Sequence, residues 1–376
     1  METIILTQKT KQDSKIEDDI DNIKIIRFDC GDFIDRINEF NNLNYHEKEK
    51  LAGELFKKED IESAALKLAE HLYNFIKEFK PSSIHFHNSF FISPYALYFL
   101  KQTYKLSAPP SYYFWCHSPT IQLVLPNGTK SNLYNALASF QNHFKGVFAI
   151  SKNVHQQLLN YGIQNKVRYL GIDTNYFVKR NQITLDIRKN LGISENAFIL
   201  TYTGRFLKDK GLAKLLAIYK KLVERDKKFL TINVLLVGDG SYKQEFKNLI
   251  AKENLDHRFH FTKVSNDSDL VDIYSQSNCF ILPTKREAIG LSLMEAMSCN
   301  LPCIATDLPG TRELITHMKN GLLIPEEKEE EYLRWISSLY SSKSLRNTLS
   351  TAARKTIEEE FSFTDHINYF IKRLIR

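Results

Sequence analysis

The strongest constraint on the fold is an alternation of two periodicities in the second half of the chain. Short apolar runs at residues 198–203, 232–237, 259–261, 279–283 and 303–307 are separated by stretches of helical spacing, among them 211–225 and one that begins at Tyr242. Runs without a polar face must be covered on both sides, and parallel strands joined by crossover helices are covered in that way. The pattern predicts a doubly wound α/β sheet with ligands at the carboxyl ends of its strands.

One segment concentrates the chemistry. Between the last two apolar runs lies Arg286-Glu287-Ala288-Ile289-Gly290-Leu291-Ser292-Leu293-Met294-Glu295-Ala296-Met297, a loop that turns into a helix at Gly290. Glycine there lets backbone come close to a ligand, and the open N–H groups and positive dipole end of the new helix favour an anion such as phosphate. Glu287 in the loop and Glu295 a little over one turn inside the helix can border the same crevice. At the end of the 198–203 run stand Gly204-Arg205-Phe206 and Lys210-Gly211. An arginine fork and a lysine point charge together can neutralise a diphosphate without a metal. Either pair alone reads as solvated surface charge; both at strand ends read as a site.

The first half is also α/β. Residues 3–7 and 23–28 read as strands on either side of an acidic link, in which Asp19-Ile20-Asp21 mimics a D-x-D metal motif and is read as coincidence in a charged loop. Asp267-Ser268-Asp269 is a second such string, at a place where Asp or Ser is the expected helix N-cap. Residues 47–79 read as helical, with Ala64, Leu66, Leu68, Ala69, Leu72 and Ile76 at helical spacing. A strand then ends in His85-Phe86-His87, and after a helix at 94–104 another ends in Cys116-His117. A histidine at a strand's carboxyl tip faces the crevice, whereas one in mid-strand more often satisfies a core contact.

Glu287 and Glu295, eight apart with Gly290 and Leu291 between them, resemble the E-x7-E motif of retaining glycosyltransferases of the GT-B fold, family 4 (glycosyl transferases group 1). Ala288-Ile289 replaces the Gly-Phe usual there. Gly204-Arg205 and Lys210-Gly211 are similar to the family's Gly-Arg and Lys-Gly signature, Gly238-Asp239-Gly240 to its glycine turn, and His117 by position to its acceptor-side histidine, followed here by Ser118. The resemblance implies two Rossmann-like domains facing across a cleft: an acceptor-side domain over 1–175, a nucleotide-sugar domain over 176–360, and a closing helix over 361–376. That helix would carry Phe363, Ile367, Phe370, Ile371 and Leu374 on its apolar side and cross back to the first domain, with a membrane-surface role as the alternative. It implies no cofactor and no metal, a nucleoside diphosphate sugar as donor, and a glycan or lipid-linked hydroxyl as acceptor, in envelope polysaccharide or glycolipid synthesis. Glu287 would hold the donor sugar, Glu295 the ribose, Arg205, Lys210 and the amides of Ile289, Gly290 and Leu291 the diphosphate, with Gly204 at the same loop. His117 would position the sugar near the acceptor. The family's opening strand, glycine loop and helix are expected to be lacking ahead of residues 4–7, to lie upstream of the recorded start, or to be completed by a partner chain. That gap keeps open a non-catalytic, accessory GT-B subunit. A related sugar-nucleotide epimerase is a third reading.

Composition narrows the setting. A chain of 376 residues with 43% hydrophobic residues can bury two cores. Five scattered cysteines read as reduced, buried thiols of a cytoplasmic protein, and Cys299-x3-Cys303 lacks the histidine pair of a zinc site. No run approaches the ~20 apolar residues of a membrane span, and residues 1–8 lack a signal-peptide pattern, so a soluble chain is expected, with peripheral contact at the inner face of a membrane as the variant. Residues 1–175 carry 20 Lys and Arg against 19 Asp and Glu, and the rest 31 against 25, a basic bias that suits an anionic ligand. No arginine-aromatic interleaving points to nucleic acid.

Overall fold

The structure, a computed structural model, describes residues 4–8, 17–20, 23–28, 58–87, 93–117, 137–264 and 266–364. Cys30, the helical reading of 47–57 and the tail helix from residue 365 onward lie outside the described residues. Two compact units are present: one runs to Val167 without Ser151–Asn153, and the other takes those three residues and continues from Arg168.

In the first unit, β1 (Ile4–Gln8), β2 (Glu17–Ile20) and β3 (Ile23–Phe28) form a small sheet in the order β1-β3-β2, with β1 parallel and β2 antiparallel to β3. The acidic link expected to be a loop therefore supplies an edge strand. Ladder bonds are made by backbone, whatever the side chain, and charged residues are common on sheet edges. The opening strand–loop–helix unit expected to be lacking ahead of β1 lies outside the described residues.

The unit's main sheet holds four parallel strands, β4 (Ser83–His87), β5 (Ser111–Cys116), β6 (Gly146–Ala149) and the two-residue β7 (Lys166–Val167), in sequence order. Helices α1 (Lys58–Phe79), α2 (Ser93–Thr103) and α3 (Lys152–Asn160) alternate with them, and α1 packs on α2. Ala64, Ala65, Leu68, Ala69, Leu72 and Ile76 are buried along one face of α1, while Leu66 is exposed. Two positions beyond Ala64, its side chain is turned about 200° around the axis from the i, i+4 row that faces the core.

The second unit holds six parallel strands: β8 (Phe198–Thr203), β9 (Ile232–Val237), β10 (Phe259–Thr262), β11 (Cys279–Leu282), β12 (Cys303–Thr306) and β13 (Leu322–Ile324). Their spatial order is β10-β9-β8-β11-β12-β13, so the chain grows in one direction from β8 and then reverses to add β11 on its other side. The crevice of such a sheet lies at that reversal, above the carboxyl ends of β8 and β11. Every residue of β8, β9, β11 and β12 is buried, as apolar runs covered on both faces must be. A short helix α4 (Ile187–Leu191) precedes the sheet, and its crossovers include α5 (Leu212–Arg225), α6 (Lys243–Lys252), α7 (Asp267–Gln276) and α8 (Leu291–Ser298). The cap of α7 is Asn266, whose Oδ1 accepts from the Asp269 amide at 2.9 Å, and not Asp267 or Ser268 as expected. Asn300 follows α8 at φ 55°, a left-handed geometry that asparagine tolerates better than most residues. After β12 the chain makes a 3-10 turn, Thr311–Glu313, in which Thr311 Oγ1 donates back to the Thr306 carbonyl at 2.6 Å. Two further helices, α9 (Glu329–Ser341) and α10 (Lys343–Glu360), complete the described chain. Cys116, Cys279, Cys299 and Cys303 are buried thiols. Among the described residues no helix is long and apolar enough to cross a membrane.

Candidate active site

The loops that follow β8 and β11 meet at the reversal of strand order. Gly204 leaves β8 with its amide on the Val237 carbonyl at 3.0 Å, and Phe206 donates to the Asp239 carbonyl at 2.8 Å. Phe206 is fully buried, which turns its neighbour Arg205 outward. The Arg205 carbonyl accepts from the buried Tyr202 hydroxyl at 2.9 Å, so the backbone under the guanidinium is fixed. Among the described residues that guanidinium has no hydrogen-bond or ion-pair partner. The loop then makes a 3-10 turn, Lys208–Lys210, and reaches Gly211 at φ 77°. A Cβ on Gly211 would lie 1.9 Å from the Pro283 carbonyl oxygen, so only glycine lets the two loops close on each other.

Three contacts join the loops. The Asp209 carbonyl accepts from the Lys285 amide at 2.8 Å and from Thr284 Oγ1 at 3.3 Å. Lys210 Nζ lies 3.0 Å from Glu287 Oε2, both side chains about one-sixth exposed (16% and 17%). Below the loop, Gly310 passes so close that a Cβ would meet the Glu287 and Ala288 carbonyls at 2.4 and 2.6 Å.

Gly290 heads α8 at φ 95°, with no side chain capping the helix. Its missing Cβ would stand 3.4 Å from Glu287 Cγ, so this glycine sits directly against the glutamate. Ile289 is buried and Leu291 is 45% exposed, and no side chain caps the first amides of α8. Glu295, inside the helix, accepts from Tyr274 Oη at 3.0 Å, and Tyr274 Oη also lies 2.7 Å from Thr203 Oγ1 at the tip of β8. Burial pushes the Glu295 carboxyl up to about 7; Tyr274 opposes that rise and Asp267 adds to it.

The second unit thus gathers Gly204, Arg205, Lys210, Glu287, Ile289, Gly290, Leu291 and Glu295 at two adjoining strand ends. Lys210 and Glu287 touch. Glu295 is held instead by Tyr274, twenty-one residues away in sequence, a partnership no spacing rule announces. Thr284 and Gly310 were equally silent in the sequence, because their role is a backbone approach set by the sheet.

His117 belongs to the first unit, one residue past β5. Its Nε2 lies 2.8 Å from Nδ1 of His87 at the tip of β4. His85, two residues earlier, accepts from the Trp115 indole N–H at 3.1 Å. Burial, with His87 adding to it, lowers the His85 ring to about 4, so it is neutral at physiological pH.

Comparison with known proteins agrees with this architecture. The family model of glycosyl transferases group 1 matches residues 184–356, and that of glycosyltransferase family 4 matches residues 45–176. The capsular polysaccharide biosynthesis glycosyltransferase CapM of Staphylococcus aureus is 25% identical over 225 residues, 57% of each chain. The chain spans about half the length of the curated relatives it matches. Among solved structures, sucrose-phosphate synthase of Thermosynechococcus elongatus superposes with TM-score 0.77 at 18% identity, covering 100% of this chain and 89% of that one. HepE of Anabaena, solved with UDP and glucose, gives 0.69 at 15% identity and covers all of both chains. At these identities the structural likeness establishes the GT-B fold alone.

Proposed function

We propose that this chain, which belongs to the glycosyl transferases group 1 of family 4, transfers a sugar from a nucleoside diphosphate sugar to a hydroxyl acceptor with retention of configuration. The observation that carries the reading is the Lys210–Glu287 contact at 3.0 Å, set against the uncapped glycine start of α8. A cation, a carboxylate and free helix amides in one place match the diphosphate, sugar hydroxyls and leaving oxygen of such a donor.

Lys210 and Glu287 together are neutral, so net attraction for an anion comes from Arg205 and the amides near Ile289, Gly290 and Leu291. These groups stabilise charge that grows on the diphosphate as the glycosidic bond breaks, and they are in place before the ligand arrives. Glu287 accepts from the donor sugar's hydroxyls and Glu295 from the ribose. His117 positions the sugar near the acceptor, and an oxygen of the leaving phosphate takes the acceptor's proton. The nucleotide seen with HepE and the capsular role named for CapM favour a UDP sugar and a polysaccharide or glycolipid acceptor. Residues 1–175 form the acceptor side and 176–360 the donor side in this reading.

The test is a thermal-shift panel of UDP, GDP and ADP with their sugars, since a ligand at a hundred times its dissociation constant adds ~2.7 kcal/mol to the folded state. We expect one nucleotide to raise the melting temperature and Arg205→Ala to remove the shift. Glu287→Ala should keep the fold and lose transfer. Wild-type turnover in Glu287→Ala overturns the assignment, and no shift with any nucleotide favours a non-catalytic, accessory subunit that needs a partner chain.

A further inference from the structure

We propose that His87 is the positioning residue for His117, and that the indole of Trp115 is the platform that holds it. The inference rests on the reading of His117 as the acceptor-side histidine of the transfer.

The placement follows from strand register. In the parallel pair β4–β5, His85 stands opposite Tyr113 and His87 opposite Trp115. Residues two apart on a strand share a face, so His85, His87, Tyr113 and Trp115 form one side of the sheet, and His117 continues that row past the strand end. The His87 ring lies parallel to the Trp115 indole, 5.8 Å between centroids at 7°. Trp115 is itself fully buried, packed on Phe148 of β6 at 4.6 Å, with its N–H on His85 Nδ1 at 3.1 Å. Accepting that bond commits His85 to the neutral form that carries its proton on Nε2. His85 thus fixes Trp115, Trp115 fixes the plane of His87, and His87 Nδ1 meets His117 Nε2 at 2.8 Å.

At that distance one proton is shared between the two nitrogens, whichever ring supplies it. Nε2 of His117 is therefore committed to His87, and any contact of His117 with a sugar or an acceptor hydroxyl runs through the rest of the ring. A histidine one residue beyond the end of a strand has little regular backbone to hold it. The row His85–Trp115–His87 supplies from side chains the orientation that the backbone does not.

The geometry makes an atom-specific prediction. An asparagine amide occupies the position of Nδ1 on a histidine, and a glutamine amide the position of Nε2. Since His87 bonds through Nδ1, His87→Asn should keep most of the wild-type kcat, while His87→Gln and His87→Ala should lose on the order of 10- to 100-fold, the scale of a misplaced reacting group. The UDP, GDP or ADP thermal shift should be unchanged in all three, because the nucleotide residues belong to the second unit. The loss should not add to that of His117→Ala: the His87→Gln/His117→Ala double variant should match His117→Ala alone.

Turnover is followed as release of nucleoside diphosphate from the sugar nucleotide that gives the thermal shift. If His117→Ala retains wild-type kcat, the underlying reading of His117 fails and this proposal falls with it. If His117→Ala is inactive while His87→Gln keeps full kcat, the reading of His117 stands and the proposal is overturned. A readout independent of turnover is the imidazole ¹⁵N spectrum of the full chain. The His117 tautomer signal should shift in His87→Gln and be restored in His87→Asn; an unchanged signal in His87→Gln overturns the proposal.

Discussion

Glu295→Gln offers the sharpest test of the electrostatics around the proposed donor site. Burial raises the Glu295 carboxyl from 4.5 to about 7 in the folded chain. Between those values the native state binds more protons than the unfolded state, so stability falls as pH rises from about 4.5 to about 7 and then levels off. At ~1.36 kcal/mol per pKa unit, the penalty fully present above pH 7 is at most about 3 kcal/mol, less whatever solvent reaching the half-buried carboxyl recovers. Glutamine keeps an oxygen to accept from Tyr274 Oη, now 3.0 Å from Oε2, and carries no charge to bury. Glu295→Gln should therefore match wild type near pH 5 and exceed it by about 1–3 kcal/mol at pH 8. Urea unfolding followed by tryptophan fluorescence measures this, with Trp115→Phe leaving Trp335 of the second unit as the only reporter. The quantity to compare is the difference between the two proteins across pH, which cancels every other titrating group. A difference that stays flat from pH 5 to 8, or a variant less stable than wild type at pH 8, refutes the placement of a desolvated carboxyl there. Nucleotide affinity provides a second arm: if Glu295 accepts from the ribose, the variant should bind more weakly at pH 8 even as it becomes more stable.

Other outcomes follow from the same geometry. Gly211→Ala combines φ 77° with a Cβ 1.9 Å from the Pro283 carbonyl, whereas Gly192→Ala combines φ 64° with open space. The first should lose roughly 3–5 kcal/mol and the second about 1, read as Tm shifts of the second unit. His85, lowered to about 4, binds fewer protons folded than unfolded between pH 4 and 6.5, so its contribution is lost on acidification; His85→Gln should flatten the acid limb of first-unit stability seen by Trp115. Because the Lys210–Glu287 pair is neutral, Arg205→Ala should reduce UDP affinity more than Lys210→Ala and flatten its salt dependence, measured by calorimetry at two ionic strengths. Tyr274→Phe should cost about 1–2 kcal/mol by leaving Glu295 without its donor, seen as a lower urea midpoint.

Much of this was legible before any coordinates, and for a reason. Strand and helix type follow from local periodicity, so the runs at 198–203, 232–237 and 279–283 announced buried parallel strands, and Gly290 beyond the last of them announced the turn that starts α8. Residue chemistry is equally local: Arg205, Lys210, Glu287 and Glu295 are visible as a set because their types suit a phosphorylated sugar. The sequence by itself determined the α/β class, the candidate residues and the family. The edge strand at Glu17–Ile20 was hidden, because its pairing with β3 is a backbone event that acidic side chains do not advertise. Asn266 was hidden as the α7 cap, since three neighbouring polar residues compete for that position. Tertiary structure alone decided that β11 lies beside β8, which brings Lys210 to Glu287 across 77 residues and Tyr274 to Glu295. It alone placed His87 against His117. Those contacts depend on the order in which strands are laid into a sheet, a choice made by the packing of the whole unit that no local window of the chain contains.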